Sequence, residues 1–387
     1  MVEKTIGILW IVVQVIIGYH LFFPIVLLLF NQVFGKKVHQ KPKELKRANF
    51  AIIVTAYEET VFLHAVIESI LKQSYINFTV YLVADKCDIT NLIFDDSRVI
   101  VLKPETIIAS NTGSHHYAFN HFINKHDFVT IVDSDNILDP NYLKEILNSL
   151  SLDFRAVQGL REAKNLDTTV ACLDAARDIY YHYYDGEQLF KSGSSATLAG
   201  SGMAFEADLY QQFLIENKVS GAGFDKVLQN WLVKQNIRIA FNPDAIVFDE
   251  KTSNSDQLVK QRSRWLNTWF KYFSYGFGLI IKGIKNLSIN QFIFGLVLLR
   301  PPLFIFLILS LITMIINFTL GLNYVIWLAG FIFFTAGFLL ALMNSKTDQK
   351  IYNSLIGIPK FIFYQMVSLS KIKVANKISV ATKHQKK

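Results

Sequence analysis

Residues 6–30 are almost uninterruptedly apolar, with Gln14, Gly18, His20 and Pro24 as mild breaks. About 20 apolar residues suffice to cross a bilayer as a helix, so this block predicts a membrane anchor. No small-residue cleavage site follows, which argues against a removable signal peptide. From residue 50 the pattern changes to short blocks. Apolar, β-branched runs at 50–54, 78–84, 99–102 and 129–132 read as buried strands. Between them, Val61, Ala65, Ile67, Ile70 and Leu71 recur at helical spacing over 61–73, and 116–122 suits a second helix. A helix at 141–150, a strand opening at 156–159, a long helical pattern over 166–184, a helix at 226–235 and largely apolar stretches at 237–241 and 245–249 follow. Strands alternating with helices predict an α/β fold with a mainly parallel sheet.

The last third returns to apolar blocks. Trp269, Phe270, Tyr272 and Phe273 lead into a glycine-broken apolar segment that ends at residue 284. Residues 292–299 and 303–318 adjoin at Arg300-Pro301-Pro302. An unpaired arginine at mid-bilayer is costly, so an interfacial helix is expected before Arg300 and a span after it. Residues 324–343 form the last expected span, and 352–369 an interfacial amphipathic helix. Three divisions result: anchor and basic linker at 1–48, α/β domain at 49–270, and interfacial helices, two spans and a basic tail at 271–387.

Charge orients this layout. Lys36, Lys37, Lys41, Lys43, Lys46 and Arg47 follow the first span, lysines crowd the tail from Lys346 to Lys387, and the loop at 319–323 is uncharged. Basic flanks stay cytoplasmic, which places the α/β domain and the tail in the cytosol and the loop outside, in a plasma (inner) membrane. Composition agrees: 51% of the 387 residues are hydrophobic and only 18% are charged, above what a soluble domain carries. The net charge of +8 sits beside the apolar blocks, pointing to lipid or phosphorylated substrates and away from nucleic acid. Cys87 and Cys172 form neither a disulfide framework nor a metal spacing, consistent with a reducing compartment.

The strand at 129–132 ends in Asp133-Ser134-Asp135, and open α/β sheets bind ligands at the carboxyl ends of their strands. Two carboxylates about 5 Å apart repel by roughly 3 kcal/mol at an effective dielectric near 20. A divalent cation removes that cost, and Mg²⁺ is commonly held by one or two carboxylates plus substrate phosphates. A plain acidic turn is the alternative. Tyr57 and Asp85 close two neighbouring strands, so three polar strand ends meet on one edge. Gly200-Ser201-Gly202 would let backbone approach a ligand. Asp225 opens a helix, where it is either a reactive carboxylate or a cap. Gln261-Arg262-Ser263-Arg264-Trp265 offers guanidinium forks for a diphosphate and an indole face for a sugar ring, or else a juxtamembrane aromatic belt.

Taken in order, these motifs resemble membrane-bound family 2 glycosyltransferases, related to cellulose, hyaluronan and poly-N-acetylglucosamine synthases. The resemblance covers roughly residues 50–265 and implies a GT-A nucleotide-sugar-binding domain flanked by transmembrane and interfacial helices. It implies that Tyr57, Glu59, Asp85 and Asp88 hold the uridine, and that Asp133 and Asp135 hold Mg²⁺ or Mn²⁺ with the donor diphosphate. It further implies Asp225 as general base, Gln261, Arg262 and Arg264 on the pyrophosphate, and Gly200, Ser201, Gly202 and Trp265 toward the acceptor. Two positions depart from the family pattern: Phe224 stands where an acidic residue usually precedes the base, and Ser114-His115-His116 where a lysine is common.

The expected function is inverting transfer of a sugar, from a nucleotide-sugar donor that is UDP-linked, to a polysaccharide or lipid-linked acceptor at the cytosolic face. Three spans are few for a polymer channel, which leaves room for a homo-oligomer or other polysaccharide-assembly proteins as partners. A catalytically inactive nucleotide-binding subunit is the alternative, against which Asp135, Asp225 and Arg264 speak. A transporter would need more spans and an intramembrane carboxylate.

Overall fold

The computed structural model describes residues 2–35, 42–45, 47–219 and 221–372. Most of the basic flank (Lys36, Lys37, Lys41 and Lys46) and the tail beyond residue 372 lie outside the described residues.

Eight strands form one sheet: β1 (Phe50–Tyr57), β2 (Phe78–Asp85), β3 (Val99–Leu102), β4 (Phe128–Asp133), β5 (Ile137–Leu138), β6 (Ala156–Ala163), β7 (Met203–Glu206) and β8 (Ile239–Asp249). Their order is β3-β2-β1-β4-β7-β6-β8-β5. Pairs β1/β2, β1/β4, β2/β3 and β6/β8 are parallel, and β4/β7, β6/β7 and β5/β8 antiparallel. The sheet is therefore mixed and mainly parallel, as expected. Side chains alternate across it. Ile52, Val54, Val80, Leu82 and Val132 pack against the helices Leu63–Leu71 and Tyr142–Ser151 on one face. Ala51, Ile53, Tyr81, Val83, Val129 and Ile131 pack against Ala207–Glu216 and Phe224–Lys234 on the other. Helices on both faces explain why these strands read as continuous apolar runs.

Several elements differ from expectation. The helix expected at 116–122 is Asn111–Asn120, started by Ser110, whose hydroxyl accepts from the Gly113 N–H at 3.3 Å. Its first turn is polar and small, so apolar spacing misses it. The apolar stretches at 237–241 and 245–249 belong largely to one strand, β8, with an irregularity opposite Gly159/Leu160. Pro243 sits in that bulge, where no ladder hydrogen bond is demanded of it. The pattern does not predict Ala207–Glu216, which follows β7 without a linker. The long helix begins at Thr169 and passes at His182–Gln188 into a π-helix.

Among the described residues, two helices are long and apolar enough to cross a membrane: Lys4–Phe34, within the helix Val2–Phe34, and Val325–Asn344. Ile289–Leu299 and Leu303–Thr319 meet at a bend of 72° around Arg300-Pro301-Pro302, and qualify as a span only together. A polar clasp ties three of these helices. Trp10 Nε1 donates to Asn317 Oδ1 at 3.0 Å, Asn317 Nδ2 to Gln14 Oε1 at 2.5 Å, and Trp327 Nε1 to Gln14 Oε1 at 3.2 Å. Such bonds are a recognised adhesive where no hydrophobic drive between helices exists. The helix Ile289–Leu299 before Arg300 buries Phe294 and Val297 against the α/β domain, with the Gln291 amide donating to the Val233 carbonyl at 3.1 Å. Near the C-terminus, Ile358–Ser370 packs on Ser255–Tyr272 through Phe361 and Leu258, leaving Phe363 and Met366 exposed.

Candidate active site

The register puts Tyr57 beside Asp85 and Thr55 beside Asp133, so β1, β2 and β4 end on one edge. From there a cavity of about 540 Å³ extends under the helix Ser255–Tyr272 to the bend at Arg300. Asp133, Asp135, Gly200, Asp225, Gln261, Arg262, Arg264 and Trp265 all line it. Tyr57, Glu59, Asp85, Asp88, Ser201 and Gly202 do not.

Asp133 is held by its own backbone. Its N–H donates to Ser201 Oγ at 3.1 Å, and Ser201 is wholly buried. Gly202 beside it has φ +66°, and a Cβ there would come within 2.9 Å of Val247 Cγ2. Ser201 and Gly202 thus fix the end of β4 from beneath, while Gly200 reaches the cavity. Burial, and then the neighbouring Asp135, push the Asp133 carboxyl up to about 7, with Asp249 and Asp225 adding and Arg161 opposing. A carboxyl so crowded suits a dication. Among the described residues no group of three or more His, Cys, Asp and Glu could hold a metal ion. Asp133 and Asp135 both line the cavity, and two carboxylates are a ligand number that Mg²⁺ accepts when water and phosphate complete its shell.

Asp225 comes from the opposite side. Gly223, at φ +95°, is the N-cap of Phe224–Lys234, and no side chain caps that helix. A Cβ on Gly223 would fall 2.4 Å from Thr268 Cγ2, so only glycine lets the helix start this close to Ser255–Tyr272. Asp225 is in the first turn and is not the cap, which removes the simplest structural reading of it. Its carboxylate lies 3.4 Å from Lys226 Nζ and is 18% exposed.

The arginine cluster lines the same cavity as both carboxylate groups. Arg262 NH2 donates to Asp174, and its guanidinium stacks 3.8 Å above the Trp265 ring, with Arg177 at 4.4 Å from the same ring. Burial, and then Arg177 nearby, hold the Arg262 pKa down to about 10. Its Nε and NH1 are buried without a hydrogen-bond partner, as are Arg161 Nε and Arg177 Nε. Buried donors without partners are costly, and these line a cavity where phosphate oxygens would satisfy them. The Gln261 side chain accepts from Thr252 Oγ1 at 3.2 Å.

On the β1/β2 side, both Asp85 oxygens accept backbone N–H groups, from Ile108 at 3.1 Å and Ala109 at 2.6 Å. Asp88 is exposed and accepts from Thr90 N–H and Oγ1 at 3.0 and 2.7 Å. Glu58 and Lys86, just beyond these strands, adopt φ of 63° and 56° and pair at 2.6 Å. Left-handed backbone at non-glycine residues is strained and gathers at ligand sites.

Sequence reasoning missed one whole wall of the cavity: Asp178, Tyr181 and Asp185, with Asp174 and Arg177 beside them. These five occupy positions i, i+3, i+4, i+7 and i+11, one face of a helix, so a polar stripe was there to be read. Behind it, Lys251 Nζ donates to Asp178 at 2.6 Å and Asp249 at 2.9 Å, and Arg161 NH2 to Asp249 at 2.5 Å.

No curated protein sequence matches this chain at a significant level. Among solved structures, it aligns with the mannosyltransferase PcManGT from Pyrobaculum calidifontis, determined with GDP-Man and Mn²⁺. That alignment has a TM-score of 0.57 and 14% identity, covering 95% of this chain and 99% of the other. TarS from S. aureus aligns with a TM-score of 0.36 and 19% identity, over 55% of this chain and 38% of its own. The pattern of the glycosyltransferase-like family 2 matches residues 48–268, which include β1 to β8 and the cluster from Gln261 to Trp265. With its GT-A-like sheet and that match over more than half its length, the chain belongs to glycosyltransferase family 2 and is a glycosyltransferase.

Proposed function

We propose that this enzyme transfers a sugar, with inversion, from a UDP-linked donor to a polysaccharide or lipid-linked acceptor at the cytosolic face of the membrane. The observation that carries the reading is the single cavity shared by Asp133 and Asp135, Asp225, and the cluster of Gln261, Arg262, Arg264 and Trp265. In this reading Tyr57, Glu59, Asp85 and Asp88 bind the nucleoside along the β1/β2 edge. Gly200, with Ser201 and Gly202 behind it, and Trp265 flank the acceptor. The acceptor oxygen attacks the anomeric carbon while the bond from that carbon to the diphosphate breaks. The hydroxyl proton passes to the Asp225 carboxylate, and the nucleoside diphosphate leaves with the bonding electron pair beside Gln261, Arg262 and Arg264. One carboxylate acting as base gives a single displacement and so inversion.

A Mg²⁺ or Mn²⁺ ion bound by Asp133 and Asp135 would neutralise charge on the departing diphosphate. PcManGT, solved with GDP-Man and Mn²⁺, supports a nucleotide-sugar and a divalent ion as the pair to test. The experiment is a panel of labelled nucleotide sugars, UDP- and GDP-linked, offered to the purified protein. A UDP-sugar should be consumed, and excess chelator or Asp135→Ala should abolish turnover. Full turnover in chelator would remove the metal from the reading, and turnover of GDP-sugars alone would change the nucleotide.

The cytosolic orientation predicts that the turn at Gly321, where Leu322 is 43% exposed, faces outward. A cysteine at Leu322, the native pair being buried, should react with a membrane-impermeant maleimide from outside intact cells. Reaction only after the inner face is opened would invert the topology.

A further inference from the structure

One pair in the cavity has no part in that reaction. Asp185, on the π-helix His182–Gln188, accepts from NH2 of Arg300 at the helix bend. The two side chains are only 6% and 5% exposed. Yet Asp185 Oδ1 and Arg300 NH1 have no hydrogen-bond partner, and both residues line the cavity. The pair is rigidly placed. Gly186 lies under the Phe241 ring, where a Cβ would come within 2.7 Å, and Trp269 Nε1 donates to the Arg300 carbonyl at 2.9 Å.

The chemistry of the pair is selective. Carboxylate and guanidinium cancel in charge and leave one acceptor and one donor side by side. A phosphate attracted to Arg300 would meet the Asp185 oxygen, a like charge. A neutral polyol satisfies both atoms at once, one hydroxyl donating to Asp185 Oδ1 and its neighbour accepting from Arg300 NH1. Tyr181 and Trp269, also in the lining, add aromatic surface around the pair. Lys226, whose charge is felt at Asp185, stands 3.4 Å from Asp225, so the subsite and the proposed base are near neighbours.

We propose that Asp185 and Arg300 form a carbohydrate subsite that grips the acceptor through a neutral, hydroxyl-rich ring, so that the acceptor is already glycosylated. This rests on the acceptor reading above and narrows it: a sugar-bearing chain or lipid fits, and a bare lipid phosphate does not. The test uses the full chain in phospholipid discs and reads sugar binding directly by saturation-transfer NMR, without donor. The probes are methyl glycosides and disaccharides of glucose, mannose, galactose and N-acetylglucosamine, with geranyl phosphate as the sugar-free anion. At least one sugar should bind, and Asp185→Asn should weaken it about tenfold or more, the usual size of a lost charged hydrogen bond. Thermal melting, measured alongside, serves as the check on folding, and UDP binding as the separate test of the donor reading. If Asp185→Asn fails to fold, Asp185→Asn/Arg300→Gln removes both charges together and carries the same measurement. No sugar binding, with or without geranyl phosphate binding, overturns the proposal, as does sugar affinity unchanged within about twofold in the folded variant. Sugar binding without any nucleotide binding would instead sink the donor reading and leave this subsite standing.

Discussion

Asp225→Asn should lower sugar transfer by about 10²–10⁴-fold, the range for loss of a general base. The amide keeps the volume of the carboxylate but cannot take the acceptor proton. Donor affinity should stay near its original value, because the nucleoside and diphosphate contacts lie elsewhere. Stability should change by less than about 1 kcal/mol, the worth of one carboxylate at a helix N-terminus. Gly223, not Asp225, is the residue that caps this helix, and no side-chain cap bond is lost. Turnover, UDP binding and thermal melting on this one variant separate a base from a structural acid. An active, stable Asp225→Asn enzyme would move the base to another carboxylate of the cavity.

Lys251→Met should destabilise the fold by about 3 kcal/mol at neutral pH, the low end of the cost of breaking a buried ion pair. Lys251 is 2% exposed and bridges Asp178 and Asp249. Arg177 and Arg161 remain beside those carboxylates, which keeps the loss from being larger. The pH dependence has a definite sign. Burial alone would raise Asp178 and Asp249, but Arg177 and Lys251 hold the first well below the usual carboxylate range, and Arg161 and Lys251 lower the second. Their contribution is thus present above about pH 4 and is lost as pH falls through the depressed values. Burial would lower Lys251, but Asp178 and Asp249 raise it. Its contribution is present below about pH 10 and lost as pH rises through the raised value. Between those limits the wild-type cluster adds no pH dependence. Without Lys251 the two carboxylates lose one of their attracting cations, and the variant should melt below the parent at both pH 5 and pH 8. Equal melting of the two proteins across this range would mean that the cluster contributes nothing to stability.

The contrast between these two residues shows what a sequence can carry. Asp133 and Asp135 were legible because they interrupt an apolar strand, and Arg262 and Arg264 because they are close together beside tryptophan. The alternation of strands and helices was enough for a mixed, mainly parallel sheet. Lys251 was not legible, since its partner Asp178 is 73 residues away and only the fold joins them. The same holds for Arg300 and Asp185, 115 residues apart. Arg300 is paired with Asp185, but spacing alone cannot name a partner across that distance. The π-helix escaped for a different reason. Its sequence continues a helical pattern, with only Gly186, packed against Phe241, to break it.

The account rests on one claim above the others, that a lone carboxylate drives a single displacement at the sugar. The configuration of the product tests it most directly. The UDP-sugar found in the panel, α-linked at its anomeric carbon, should be converted with the purified enzyme and its product read by proton NMR before mutarotation or hydrolysis intervenes. The account predicts a β-linked product, absent in Asp225→Asn. An α-linked product would require two displacements or front-face attack, and would contradict it.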